Sequence, residues 1–402
     1  MAEPTRSVLL VIGGGIAAYK ALELARELGR QGIGVTSVMT AGAREFITPL
    51  SVSGLTGRKC YTDLFDLTDE VEMGHIELSR AADLVVVAPA TANMMAKAAG
   101  GIADDLASTL LLATDKPVLF APAMNVRMWD HPATRRNLER LKQDGCSVVG
   151  PEEGAMACGE WGHGRLSETS AILSAIEALL PPPQGPLSGR KVVVTAGPTH
   201  EPLDPVRFVG NRSSGKQGYA IAAACRRAGA DVTVISGPVS ISPPWGCEIV
   251  RVETARQMLE ASEAGLPCDV FIACAAVADY RPAFETEHKV KKERGGLTAI
   301  DLAENPDILA TIAQKEIGRP ALVIGFAAET DDVIGHAEAK RTRKRCDWIV
   351  ANDVSPGTGV MGGDRNTVTI ISGQGDETLP EMSKEALGDV LAGKIAARLA
   401  RG

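Results

Sequence analysis

The residue types in this chain that can do chemistry fall mostly just after runs of β-branched residues. Cys158 sits in Gly150–Arg165, GPEEGAMACGEWGHGR, which is too glycine-rich for a regular element and long for a simple connection, so a lid is expected. A thiol in such a loop has no core to pack in, and it can give up a proton near neutral pH. His75 opens the helical run HIELSRAAD, where a histidine caps or packs as readily as it reacts. Thr91 and Asn93 close the apolar run Asp83–Ala88, and Asn125 follows Pro117–Ala121. Parallel sheets offer ligands hydroxyl and amide groups at such strand ends, although Thr91 and Asn93 equally suit the start of a helix over Met94–Ala99. In the second half, Asp279 follows Val270–Cys274 and is placed for a magnesium ion bridging phosphates. Two basic runs accompany it, His288–Arg294 with Lys289, and Lys340–Arg345, in which Lys340 and Lys344 share one helix face. A charge run is a solvated face or, beside a strand end, a loop that folds over a triphosphate.

The elements that must position these residues read as two successive α/β patterns. Val8–Ile12 runs into Gly13, Gly14 and Gly15, followed by a helical run over Ile16–Gln31 and a strand over Gly34–Met39. Gly13, Gly15 and Ala18 fit a dinucleotide fingerprint, but the second strand ends in Met39, Thr40 and Ala41 with no acid for a ribose diol, which favours a phosphate monoester over NAD. Pro181, Pro182 and Pro183 stop a helix over Thr169–Leu180 and cut the chain. A new first strand, Lys191–Thr195, then leads through a long loop to Gly210–Gly218, NRSSGKQ between glycines. That loop lacks the final Ser/Thr of a Walker A motif; Ser213, Ser214 and the amides at a helix start make either an anion cradle or a structural turn. Asp231–Ser236 and Val270–Cys274 are further parallel strands, and Val323–Thr330 and Ala351–Val354 read as strand-end loops. The expected fold is two doubly wound, three-layer α/β domains of flavodoxin-like or Rossmann-like type, over 1–180 and 189–402, with a linker over 181–188.

Composition narrows the function classes. A formal charge of −8 with 4% aromatics argues against nucleic acid as a partner, and no apolar stretch is long enough for a bilayer, so a cytoplasmic protein is expected. Eight cysteines without a C-x-x-C pair and six dispersed histidines predict neither a disulfide framework nor a metal held by protein ligands alone.

GGGIAAYK, His75-Ile-Glu-Leu, APATANMMAKAAGGIADDL, PAMNVRMW and GAMACGEWGHGR, in this order, resemble the flavoprotein family of cysteine decarboxylases, those acting on phosphopantothenoylcysteine in particular. The resemblance implies FMN held by Gly15, Ile16, Thr40, Thr91 and Asn93, with His75, Asn125 and Cys158 at the reacting group. Gly14 departs from the family pattern, in which a hydroxyl residue is common. AGPTHEPLDPVRFVGNRSSGKQG, AAVADYRP, KVKK, ENPDI, GFAAET, AKRTRK and ANDV are similar to the phosphopantothenate–cysteine ligases. That likeness implies phosphopantothenate, cysteine and CTP with Mg²⁺, and an acyl-cytidylate contacted by Asn211. It places Ala273, Cys274, Ala275, Asp279, Lys289, Asn305, Pro306, Asp307, Ile308, Phe326, Lys340 and Lys344 around the nucleotide, Asp279 with the metal. The fused pair resembles the bifunctional family of coenzyme A biosynthesis, which implies a homo-oligomer, a dodecamer built on trimers of the first domain.

The implied chemistry suits these residue types. A cysteine-derived carboxylate leaves only when the neighbouring CH₂SH is oxidised to give an electron sink, which is flavin work. In that reading His75 assists thiol deprotonation, Asn125 orients the carboxylate and Cys158 returns a proton. Two alternatives stand beside it: a nicotinamide oxidoreductase, and a non-enzymatic flavoprotein that binds a partner.

Overall fold

The computed structural model describes residues 6–64, 75–156, 159–286, 288–289, 299–355 and 363–401, and for His75 and Ile76 the backbone only. Its contacts divide the chain into two compact units, Met1–Pro182 and Pro183–Gly402.

The first unit is built on a sheet in the order Cys60–Tyr61, Gly34–Met39, Ser7–Ile12, Leu84–Ala90, Val118–Pro122, Ser147–Val148, every pair parallel. Leu84–Ala90 is buried at every position, as a central strand covered on both faces must be. Strand order reverses between Ser7–Ile12 and Leu84–Ala90, and an open parallel sheet leaves a crevice there, beyond its carboxyl ends. Asp83 fixes the register, its carboxylate accepting the Ser7 amide at 2.7 Å just before the fourth strand begins. The charged pair Arg6–Glu177, 2.8 Å apart, ties the start of the first strand to the last helix, Thr169–Leu179; its side chains are only 6% and 13% exposed.

The second unit repeats the plan with the order Glu248–Arg251, Asp231–Ser236, Lys191–Ala196, Val270–Ala273, Leu322–Glu329, Trp348–Asp353, all parallel. Val368–Ser372 and Gly375–Thr378 extend it antiparallel. Asp269 does here what Asp83 does in the first unit, accepting the Lys191 amide at 2.8 Å. Asp347 repeats the device on Val323 at 2.7 Å.

Four sequence expectations need correcting. Val323–Thr330 and Ala351–Val354 are not loops for most of their length, because Leu322–Glu329 and Trp348–Asp353 pair in register out to Glu329 and Asp353. The glycine-rich stretch carries a two-stranded antiparallel ribbon, Glu152–Ala155 with Trp161–Arg165; glycines allow φ near +150° at Gly162 and Gly164. The loop after Lys191–Ala196 contains the hairpin His200–Asp204/Arg207–Gly210, on which His200 and Phe208 stack with ring centroids 3.7 Å apart. Finally, part of the segment expected as linker is docked. Leu187 is fully buried in the second unit, its amide donating to the Ala228 carbonyl at 2.9 Å.

Candidate functional site

Each unit has a cavity beside its crevice, made by chain segments that leave the strand ends. In the first unit a cavity of about 620 Å³ is lined by Gly14, Gly15 and Ile16 after the first strand, Pro89 and Thr91 after the fourth, and Met124 and Asn125 after the fifth. The three glycines have different reasons. A Cβ on Gly13 would stand 2.3 Å from the Pro89 carbonyl oxygen, and one on Gly14 would stand 2.7 Å from the backbone of Gly42. Gly15 faces open space but has φ 142°, which L side chains rarely adopt. The Gly14 departure therefore sits where this backbone leaves no room for a side chain.

The strand-end side chains are mostly committed to backbone. Thr40 donates to the Ile12 carbonyl at 3.2 Å and accepts from the Ala43 amide at 3.2 Å, and it does not line the cavity. Thr91 lines the cavity and also caps the helix Ala92–Gly100, its hydroxyl accepting the Met94 amide at 3.2 Å. Asn93 is exposed and outside the lining. Asn125 caps Val126–Asp130, its carbonyl oxygen accepting from the Arg127 amide at 2.8 Å while its amide donates to Glu160. The helix His75–Arg80 begins at His75, whose side chain lies outside the described residues, as does Cys158. In sequence, Cys158 falls between the two ribbon strands. Sequence reasoning missed Tyr19, Lys20 and Arg165, which also line the cavity. Lys20 and Arg165 both pair with Glu168.

FMN fits this cavity in two respects. No hydrogen bond among the described residues takes up the Gly14, Gly15 or Ile16 amides, at the start of the Ile16–Ala18 turn and the helix Tyr19–Arg30, and amides at such a start suit a phosphate. The remaining lining, with Ile16, Met124 and Met128, is apolar enough for a ring system.

In the second unit a cavity of about 730 Å³ gathers most of the expected nucleotide residues: Ala273, Ala275, Asp279, Asn305, Pro306, Asp307, Ile308, Phe326, Lys340 and Lys344. The crevice is stitched by threonines of the first strand and its loop. Thr195 accepts the Ala275 amide at 3.2 Å and Thr199 the Ala278 amide at 3.0 Å. Asn305 holds the Asp279 segment through its backbone at 2.8 Å and, through its side chain, the Ala278 carbonyl at 2.9 Å. Lys340 donates to the Phe326 carbonyl at 2.9 Å; burial lowers its pKa, while the carboxylates of Glu329 and Asp279 act to raise it. Lys344 pairs with Asp307.

Three expected residues lie outside that lining. Cys274 packs against the core on the sheet's other face, where burial pushes its thiol up to about 12. Lys289 is exposed, next to residues that are not described. Asn211 donates to the carbonyl of Val277, a lining residue, at 2.9 Å and so borders the cavity. Glu329, His336 and Arg343 line the cavity without having been singled out; the signal was there for Glu329 in GFAAET, but His336 looked like one dispersed histidine among six. Among the described residues no group of three or more His, Cys, Asp or Glu could hold a metal. A magnesium ion at Asp279 would thus take its other ligands from phosphates and water, as this ion commonly does.

The Flavoprotein family profile matches residues 1–181, and that of the DNA/pantothenate metabolism flavoprotein C-terminal domain matches 187–399. The chain is 46% identical over 389 residues to the coenzyme A biosynthesis bifunctional protein CoaBC of Vibrio cholerae, covering 96% of each. To the protein of that name from Escherichia coli it is 45% identical over 396 residues, covering 98% of this chain and 97% of the relative. A crystal structure of the C-terminal domain of a CoaBC protein aligns with 54% of this chain and 100% of its own, at 37% identity and a TM-score of 0.47. With both profiles matched in order and relatives aligned nearly end to end, the chain belongs to the family of bifunctional coenzyme A biosynthesis proteins.

Proposed function

We infer that the chain is a bifunctional enzyme of coenzyme A biosynthesis, its second unit joining cysteine to 4'-phosphopantothenate and its first decarboxylating the 4'-phosphopantothenoylcysteine that results. Family membership supports the two activities. The observation that carries the assignment to sites is the gathering of Asp279, Asn305–Ile308, Phe326, Lys340 and Lys344 around one cavity at the switch point of the second sheet.

In the ligase step, the phosphopantothenate carboxylate attacks the α-phosphate of CTP, pyrophosphate leaves, and the cysteine amine then displaces CMP from the acyl-cytidylate. Lys340 and Lys344 offset triphosphate charge, Lys289 covers the phosphates from its exposed loop, Asp279 supplies one ligand to Mg²⁺, and Asn211 meets the acyl group. A half-buried ammonium such as Lys340 is a strong electrostatic partner because little water screens it.

In the decarboxylase step, FMN supplies the reversible oxidation of the CH₂SH group that gives the departing carboxylate its electron sink. Asn125 is held from two sides, at Arg127 and Glu160, which supports a role in orienting the substrate carboxylate. His75 takes the thiol proton, and Cys158, carried by the ribbon connection, returns a proton to carbon. A cytoplasmic homo-oligomer, a dodecamer by family resemblance, completes the reading; among the described residues no helix is long and apolar enough to cross a membrane.

Two measurements test this. The purified protein should show a flavin absorbance spectrum, and it should release pyrophosphate only when CTP, phosphopantothenate and cysteine are all present. A protein that stays colourless with excess FMN and releases no pyrophosphate would overturn both halves.

A further inference from the structure

The helix Val333–Lys344 turns His336, Lys340, Arg343 and Lys344 toward the nucleotide cavity, positions that share one face. His336 Nδ1 lies 3.8 Å from the carboxylate of Glu329, at the end of the strand Leu322–Glu329. The cavity is lined by four acids, Asp279, Glu304, Asp307 and Glu329, against three permanent cations, Lys340, Arg343 and Lys344. Lys344 is already paired with Asp307, and Lys340 is engaged by the Phe326 carbonyl. A polyphosphate entering here meets a wall with no surplus of fixed positive charge. Imidazole is the side chain whose ordinary charge change falls between about pH 5 and 8, and His336 is the histidine in this lining.

We propose that His336 is a proton-linked phosphate contact, taking up a proton from solvent as a nucleoside triphosphate binds. The inference rests on the nucleotide reading of this cavity. Other charged groups on the surrounding elements leave room for it. On its own helix, Asp332 is turned to the Gly335 amide at 3.3 Å, and Glu338 and Lys340 follow in sequence. On the neighbouring strand, Asp353 accepts from the Ser355 amide at 2.8 Å. Across the cavity stand Asp279, Glu304 and Asp307. The Glu329 carboxylate stands 3.8 Å from the ring at the end of the strand Leu322–Glu329. Bound phosphates attract the imidazolium and not the neutral ring, so the bound protein holds the proton more tightly than the free one. Affinity for the nucleotide must then rise as pH falls, and level off once the imidazole of the free protein is already charged.

The test is calorimetry of CTP binding to the full chain at saturating Mg²⁺, from pH 8 to pH 6, in buffers of different ionisation enthalpy. One exposed charge pair predicts binding about fivefold tighter at pH 6 than at pH 8, with net proton uptake near neutrality. His336→Gln should lose both relative to the unsubstituted protein, and His336→Lys should keep the tighter affinity at every pH. If His336→Gln retains the same pH dependence and proton uptake, the proposal is overturned while the nucleotide reading survives. Should the glutamine variant not fold, a pH dependence unchanged in His336→Lys is equally fatal. If no form of the protein binds CTP at any pH, the nucleotide reading fails and takes this inference with it.

Discussion

The two units use one scaffold for two kinds of crevice. Both sheets run in the same order about a first strand followed by a glycine loop, and both pin that strand with an aspartate, Asp83 on Ser7 and Asp269 on Lys191. They differ in what stands at the strand ends. The first crevice is lined by glycine backbone and apolar side chains, and its cations Lys20 and Arg165 are paired with Glu168. The second is lined by four acids and three fixed cations. A sheet of this kind sets where a ligand sits, and the loops alone decide whether the site suits a flat ring system or a polyphosphate.

The contrast can be broken or sharpened by substitutions whose effects should stay within one unit. Glu177→Gln leaves the buried Arg6 guanidinium without its carboxylate and should cost the first unit about 3 kcal/mol, the usual result of orphaning one partner. Hydrogen exchange should report it, with Ser7–Ile12 amides losing protection and Lys191–Ala196 amides keeping theirs. Lys340→Gln should slow pyrophosphate release roughly a hundredfold, about 3 kcal/mol of barrier, with decarboxylation of supplied phosphopantothenoylcysteine unchanged. A ligase rate near normal would remove Lys340 from the phosphate site. Gly13→Ala forces a methyl group to within 2.3 Å of the Pro89 oxygen, so the loop must shift. We expect a loss of about 2 kcal/mol and of bound flavin colour, with CTP binding retained. The smallest effect is that of Thr254→Ala, which removes the capping box of Ala255–Ala264 and should lower second-unit stability by about 1 kcal/mol. Urea unfolding followed separately in each unit would check it; an equal shift in both units would mean that they do not unfold independently.

Local patterns in the sequence were informative wherever local physics decides the structure. The central strands carry runs of Val, Ile and Leu, as in Val8–Ile12, Leu84–Val87 and Val192–Val194, and the three prolines lack the means to continue a helix. Strand-end residues followed from the same logic, and Thr91, Asn125 and Asp279 line a cavity while Asn93 does not. What stayed hidden depends on partners far along the chain. Nothing near Asp83 announces that it will hold Ser7, and nothing near Glu177 points to Arg6, 171 residues away. The glycine-rich stretch misled because its composition reads as loop, while its two arms satisfy each other's backbone groups as a ribbon. Leu187 looked like linker because its burial comes from the Ala228 segment. His336 carried no motif, and only the helix face it shares with Lys340 gives it a site.

The ribbon is also fastened at its foot. A Cβ on Gly164 would lie 2.2 Å from the Met124 carbonyl oxygen, and the Met124 amide donates to the Gly164 carbonyl at 3.0 Å. Met124 immediately precedes Asn125, so the arm Trp161–Arg165 is clamped beside the asparagine. The length of the ribbon then acts as a ruler. Adding or removing two residues in each arm would leave the sheet untouched but move the far end of the ribbon by about 7 Å, two strand residues. The reach of the ribbon from Asn125 can thus change while the parallel sheet beneath it stays the same.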